Sequence, residues 1–454
     1  MKNIVKEAFQ EPACEHNHTP KAKQGCARPK PGEAAGGCSF DGSQITLLPI
    51  TDAAHIVHGP IACAGNSWGG RGSLSSGPLL YQYGLTTDLS EQDIIMGGEK
   101  KLISAISEVV TRFQPPAIFV YATCVTSLIG DDLDFVCKNE SKKWNIPIIP
   151  VNSPGFVGSK NLGNRLAGYS LLQHVIGTGE PKKVTDYDVN VIGEYNIAGE
   201  YWDIKELFDQ VGIRVLSKIT GDGRYREITY AHRAKVNMVV CSRALISLAR
   251  EMDEKYKIPY FEGSFYGIKE TSFSLRQIAY LIGDRTLEAK VDELIYEEEE
   301  KVFSELLSHR QFLKGKKAVL YTGGVKSWSI ISALKELGIE VVGVGTNKST
   351  LEDISKIKER VGFDCVLIEK GGAKEILNVI RNKQADILIA GGRNMYLAIK
   401  EQIPFLDINQ ERHTAYATYK GIRRLANDLV HSIQHPIWKI TKYKAPWVGD
   451  NDGY

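Results

Sequence analysis

Three cysteines stand in settings that suit thiolate ligands to iron. Cys38 closes Gly36-Gly37-Cys38, Cys63 lies in Gly59-Pro60-Ile61-Ala62-Cys63-Ala64-Gly65, and Cys124 ends the apolar run through Tyr121-Ala122-Thr123. Glycine and other small residues at such turns let backbone come close to a bulky inorganic group. A cubane iron–sulfur cluster binds four thiolates, so three widely spaced ones in this chain suggest a fourth from a partner; the alternative is three ordinary small buried cysteines. Cys241 opens Cys241-Ser242-Arg243 after the strand-like run Asn237-Met238-Val239-Val240. With an arginine two residues on and a helix start beneath it, its thiol would be acidified and able to bind metal, though a core role is the other reading. Near the amino terminus, Cys14, His16, His18 and Cys26 form a soft and borderline ligand set able to capture an iron–sulfur species in transit or a divalent metal. Such short Cys/His groupings also arise by chance. Cys137 and Cys365 read as packing residues.

These side chains need elements to position them. Residues 1–35 show little apolar periodicity among Lys, Pro and Gly and read as an extended or mobile arm. From Ile45 onward, apolar runs of strand length alternate with helical periodicity, the pattern of parallel sheets with crossover helices. A first α/β block spans 36–183. Its runs Ala117-Ile118-Phe119-Val120-Tyr121 and Ile146-Pro147-Ile148-Ile149-Pro150-Val151 read as buried strands and Glu99 to Phe113 as an amphipathic helix. Cys124 then falls just past a strand's carboxyl end, where open α/β sheets place ligands. The glycine-punctuated stretch from Gly155 to Arg165 runs into a helix reaching Val175; its amides with Lys160 and Arg165 would suit an anion, or the glycines simply serve the turn. A second block, 184–314, holds Cys241, a helix from Glu200 to Val211 and a charged connecting helix from Arg285 to Leu313. A third, 315–415, is a doubly wound unit whose strands end in polar loops at Thr322-Gly323-Gly324-Val325-Lys326-Ser327 and Gly391-Gly392-Arg393-Asn394. Pro404 to Arg412 reads as a loop, and 416–454 as a last helix and tail returning to cover the first block.

A chain of 454 residues with net charge +2 gives no electrostatic case for nucleic acid or a polybasic membrane contact. No apolar run approaches about eighteen residues and no secretory leader is visible, so the expected compartment is the cytoplasm, without a membrane span. In that reducing setting eight cysteines serve as metal ligands, redox groups or core residues before disulfides.

Gly36-Gly37-Cys38, His58-Gly59-Pro60-Ile61-Ala62-Cys63, Cys124, Ile129-Gly130-Asp131-Asp132, Cys241-Ser242-Arg243, Tyr321-Thr322-Gly323-Gly324 and Asp407-Ile408-Asn409-Gln410-Glu411 occur in one order. Together, from about Glu11 to Trp438, they resemble the nitrogenase molybdenum–iron protein family, and within it the cofactor-assembly branch; Pro12 to His18 resembles that branch's amino-terminal arm. The resemblance implies three Rossmann-like α/β domains with mostly parallel sheets flanked by helices, pairing with a NifN-like β-type subunit and doubling into a heterotetramer. It implies that Cys38, Cys63 and Cys124 hold a 4Fe–4S cluster completed by the partner, and that Cys241 meets an iron–sulfur–carbide precursor of the iron–molybdenum cofactor. Asn409 stands where catalytic relatives have a histidine anchor, and an amide is a poor metal ligand beside neutral imidazole. Lys160 and Asn164 replace a glutamine and a histidine at the substrate-reducing face, and asparagine cannot relay protons as histidine does. Arg71 and Lys326 match positions lining the cofactor path, where cations suit an anionic cluster and organic acid. The implied role is a scaffold rather than a turnover enzyme: it takes the precursor from NifB, holds it while NifH helps insert molybdenum and homocitrate, and passes it to an acceptor protein. The alternatives are the catalytic α subunit of an atypical nitrogenase reducing dinitrogen, and a small-molecule binding protein whose cysteines are core.

Overall fold

The structure, a computed structural model, describes residues 37–68, 73–240, 242–322, 325–346, 349, 351–369, 371–409 and 411–441. Three sheets form along the chain, and every strand pairing within them is parallel. The first holds β1 (Ala54–His58), β2 (Leu85–Thr86), β3 (Ile118–Ala122) and β4 (Ile148–Val151) in the order β2-β1-β3-β4. The second holds β5 (Asp188–Ile192), β6 (Arg214–Ile219), β7 (Val236–Val239) and β8 (Tyr260–Glu262) in the order β6-β5-β7-β8. The third holds β9 (Lys317–Tyr321), β10 (Glu340–Gly345), β11 (Val366–Ile368), β12 (Ile387–Ala390) and β13 (Phe405–Asp407) in the order β11-β10-β9-β12-β13. Three parallel α/β layers match the expected fold class.

The central strands β1 and β3 are buried along their whole length because helices cover both faces, which explains their unbroken runs of apolar residues. Parallel strands need crossover connections, and here each sheet winds first one way and then the other. The winding reverses between β1 and β3, between β5 and β7, and between β9 and β12. Loops leaving the carboxyl ends of strands at such a reversal diverge and leave a crevice. Cys63 and Cys124 follow β1 and β3, Glu194 follows β5, and Lys326 follows β9.

Helix Glu99–Phe113 forms as its periodicity dictates, burying Leu102, Ile106 and Val109 on one face and stopping at left-handed Gln114. Helix Ser39–Leu47 has no such stripe; it is buried nearly all round against helix Lys160–His174. Backbone meets backbone there. A Cβ on Gly42 would stand 1.9 Å from the Lys160 carbonyl oxygen, and one on Gly163 1.8 Å from that of Ser39.

Three expectations change. The segment 404–412, read as a loop, contains an edge strand, β13, paired with β12. The charged run is two helices, Arg285–Glu305 and Leu307–Leu313, broken at Leu306; Leu287, Val291, Ile295 and Val302 bury one side of the first. The last helix, Thr418–Gln434, packs against the helices Glu200–Val211, Ile268–Ile282, Arg285–Glu305 and Leu307–Leu313, not against the first block. Its apolar stripe, including Ile422, Leu425 and Leu429, enters the core shared by the second and third sheets.

Candidate functional site: a thiol rim and a charged chamber

Each of the three clustered cysteines occupies the first turn of a helix. Cys38 is the N-cap of Ser39–Leu47, Cys63 is the third residue of Ile61–Trp68, and Cys124 is the first of Cys124–Ile129 behind the capping residue Thr123. Cys38 is fixed by a bridge to Ser159, and Lys160 N–H donates to the Gly37 carbonyl at 2.8 Å.

The sulfurs gather around a bare stretch of backbone. A Cβ added to Gly155 would lie 2.9 Å from Cys124 Sγ and 3.1 Å from Cys38 Sγ. Cys63 completes the group: burial raises its pKa, and the neighbouring Cys124 and Cys38 thiols raise it further. All three are free thiols, with Cys38 exposed and the others half-buried. Among the described residues, no three His, Cys, Asp or Glu side chains converge on a single ion position. Three free thiols gathered beside a bare glycine are of the residue type that binds iron–sulfur clusters. Cys137 is buried in helix Leu133–Trp144, its thiol pushed up mainly by burial, and takes no part.

The rim is apolar and uncovered. Ile61, Ile95, Met96, Leu128 and Phe156 are exposed, Ile95 and Met96 by about four-fifths, on the elements that carry or adjoin the thiols. Clustered exposed apolar side chains mark an interaction face.

A second constellation lies where the second and third sheets face each other. Arg412 is buried with Glu200, the first residue of helix Glu200–Val211, and donates through Nε to Oε1 at 2.7 Å. A second guanidinium nitrogen reaches the same oxygen, and Nη1 donates to the Asn409 carbonyl. Lys326 Nζ sits 5.7 Å from the Tyr266 ring centre, and Tyr266 Oη accepts from Arg412 Nη2 at 3.4 Å. Burial pushes the Glu200 carboxyl up, but Arg412 and Lys326 outweigh it and hold it below the ordinary range. Glu194 goes the other way: burial and the charge on Glu200 push it up to about 6, against the pull of Lys326 and Arg412. Glu200 and Arg412 thus form a buried ion pair, with the buried Glu194 near it and the half-buried Lys326 beside Tyr266. Asn409 stands at its edge, its N–H donating to Asp407 Oδ1 at 2.6 Å and its side chain lying against Gly391.

Lys326 and Asn409 are therefore linked through Tyr266 and Arg412. Asn164 and Lys160 sit elsewhere, in the seam between helices Ser39–Leu47 and Lys160–His174. Asn164 is buried and its Oδ1 accepts from Thr46 Oγ1 at 3.1 Å; Lys160 Nζ lies 3.9 Å from Asp41 Oδ2. Arg71, Cys241, Cys14, His16, His18 and Cys26 lie outside the described residues. Glu194, Glu200, Tyr266 and Arg412 had no assigned role in the sequence reading. For Glu194 a signal existed: an acidic residue directly after the buried run Val189-Asn190-Val191-Ile192-Gly193 sits at a strand's carboxyl end, as Cys124 does. No helix among the described residues is long and apolar enough to cross a membrane.

Comparison with known proteins agrees with this geometry. The family model for nitrogenase component 1 type oxidoreductases matches residues 38–434. The chain is 58% identical over 457 residues to the nitrogenase iron-molybdenum cofactor biosynthesis protein NifE of Nostoc sp., covering 99% of this chain and 95% of that one. It is 56% identical over 450 residues to the protein of the same name from Rippkaea orientalis, covering 98% and 96%. Among solved structures, nitrogenase Cp1 at pH 5 superimposes with a TM-score of 0.84 at 28% identity, covering 98% of this chain and all of that one. Matched over most of its length by the family model and at more than half identity by these relatives, the chain belongs to the nitrogenase component 1 type oxidoreductases.

Proposed function

We propose that this chain is a scaffold subunit for building the iron–molybdenum cofactor of nitrogenase, acting in the cytoplasm. The observation that supports it most is the meeting of Cys38 and Cys124 at Gly155, with Cys63 beside them, among exposed apolar side chains. Three thiols at a face made for a partner suit a cluster shared across a subunit seam, with the fourth thiolate from a NifN-like β-type subunit in a heterotetramer. When bound, a 4Fe–4S cluster there supplies one-electron transfer. This chain's part is to present the thiols at helix starts and to offer Gly155 as bare backbone.

The chamber takes the cargo, an iron–sulfur–carbide precursor, as a substrate. Cys241, between β7 and helix Ser242–Tyr256, gives it a sulfur ligand, and Lys326 and Arg412 offset its negative charge and that of homocitrate. Asn409 in place of an imidazole ligand leaves the hold weak enough for release. Lys160 and Asn164 lie on the first sheet's side, and Arg71 takes part in the passage of the cargo. NifB delivers the precursor, NifH assists insertion of molybdenum and homocitrate, and an acceptor protein receives the product; the arm with Cys14, His16, His18 and Cys26 serves transient capture.

Anaerobic co-purification with the β-type subunit tests this. The complex is expected to contain iron beyond one cubane per pair and to activate a cofactor-free acceptor after incubation with molybdate, homocitrate and reductase, without itself reducing acetylene. Sustained acetylene or dinitrogen reduction by the complex alone would favour the catalytic reading. Absence of iron would favour a binding protein with core cysteines.

A further inference from the structure

His58 and Asp131 have no part in the account so far, yet they join the two strand ends that bear Cys63 and Cys124. His58 is the last residue of β1, its side chain fully buried, and Asp131 follows the helix Cys124–Ile129. The His58 Nε2 lies 3.0 Å from Asp131 Oδ2, and Nδ1 lies 3.1 Å from Thr87 Oγ1. Gly59 N–H donates to that same Thr87 hydroxyl at 3.0 Å. Both ring nitrogens are thus engaged, Nδ1 with the Thr87 hydroxyl and Nε2 with the Asp131 carboxyl, which holds the imidazole in place between the two loops. Burial holds His58 below its ordinary pKa despite Asp131.

The His58 backbone reaches the other loop as well. Its carbonyl accepts from Thr123 Oγ1 at 2.9 Å and from Thr126 Oγ1 at 3.3 Å, the residues that cap and complete the first turn begun by Cys124. Asp131 Oδ1 accepts from Gly98 N–H at 3.0 Å. There is no slack in the assembly: a Cβ on Gly59 would stand 2.2 Å from Thr123 Oγ1, and one on Gly98 2.6 Å from Asp131 Oδ2.

We propose that His58 and Asp131 are positioning residues for the cluster ligands, clasping the loop before Cys63 to the helix begun by Cys124 so that the spacing of the two thiols is set before iron arrives. This rests on the reading of those cysteines as cluster ligands. A ligand pair held in place by buried hydrogen bonds needs less ordering on metal binding and imposes its geometry on the cluster.

The test compares the anaerobically purified complex carrying wild-type chain, Asp131→Ala and Asp131→Asn, each with iron and after iron removal by chelation. In the iron-free state Asp131→Ala is expected to speed hydrogen exchange about tenfold at 59–63 and 123–127, leaving exchange in the third sheet unchanged as a control for folding. In the iron-loaded state it is expected to change the cluster's electron paramagnetic line shape and shift its midpoint potential. Asp131→Asn, which keeps an acceptor for Gly98 N–H, is expected to restore both in large part. Unchanged exchange in Asp131→Ala overturns the clasp, and faster exchange with an unaltered spectrum and potential reduces it to a structural contact. A wild-type complex without iron sinks the ligand reading and this proposal together.

Discussion

The thiol rim and the charged chamber are built at equivalent places, the winding reversals of successive sheets, yet on opposite physical terms. At the rim the polar atoms are soft sulfurs, part-exposed and ringed by uncovered apolar side chains. In the chamber they are hard charges, with Arg412 and Glu200 buried and paired to each other. Soft thiols at an edge can stay part-exposed, whereas Arg412 and Glu200 neutralise each other because an unpaired buried charge is costly.

Substitutions should separate the two regions. Cys63→Ala or Cys124→Ala is expected to abolish the rim cluster and weaken pairing with the β-type subunit while leaving the chamber's ion pairs intact, read by iron content and gel filtration. Gly155→Ala should act in the same sense without removing a ligand, since its methyl would intrude on Cys38 and Cys124. Arg412→Ala leaves Glu200 buried without its partner and is expected to cost about 3–5 kcal/mol in denaturant unfolding; adding Glu200→Gln should recover much of it.

Glu194 gives a pH signature. Its carboxyl rises from an ordinary value of 4.5 to about 6 in the folded chain, so the folded state favours the protonated form. The associated stability is present below about 4.5 and is lost as pH rises through about 6, a loss of order 2 kcal/mol. Glu194→Gln should flatten that fall, as seen in urea midpoints measured across the interval; an unchanged profile would show that the chamber is wetter than its burial suggests. The smallest effect is expected from Asn409→His, which should slow hand-off of cargo severalfold by adding an imidazole ligand, measured as the rate of activating a cofactor-free acceptor.

The rim was legible in the sequence because its chemistry is written in residue type: Cys38 and Cys63 stand among glycine and small residues, and Cys124 follows an apolar run that reads as a buried strand. The helix Ser39–Leu47 that presents Cys38 was not, since it is buried on nearly every side and lacks an amphipathic period. The chamber was mostly hidden. Arg412 and Glu200 are 212 positions apart, and only the approach of the third sheet to the second makes them partners. Likewise β13 is a three-residue edge strand inside a segment read as a loop, and the last helix was set against the wrong block because an apolar stripe says that it must be covered and not by what.

The central claim is that two distinct iron sites exist, one at the rim and one in the chamber. Mössbauer spectroscopy of the iron-57-labelled complex, wild type against Cys63→Ala, tests it most directly. Two iron populations are predicted in the wild type, with only the cubane component lost in the variant. A single population, or equal loss of both, would contradict it.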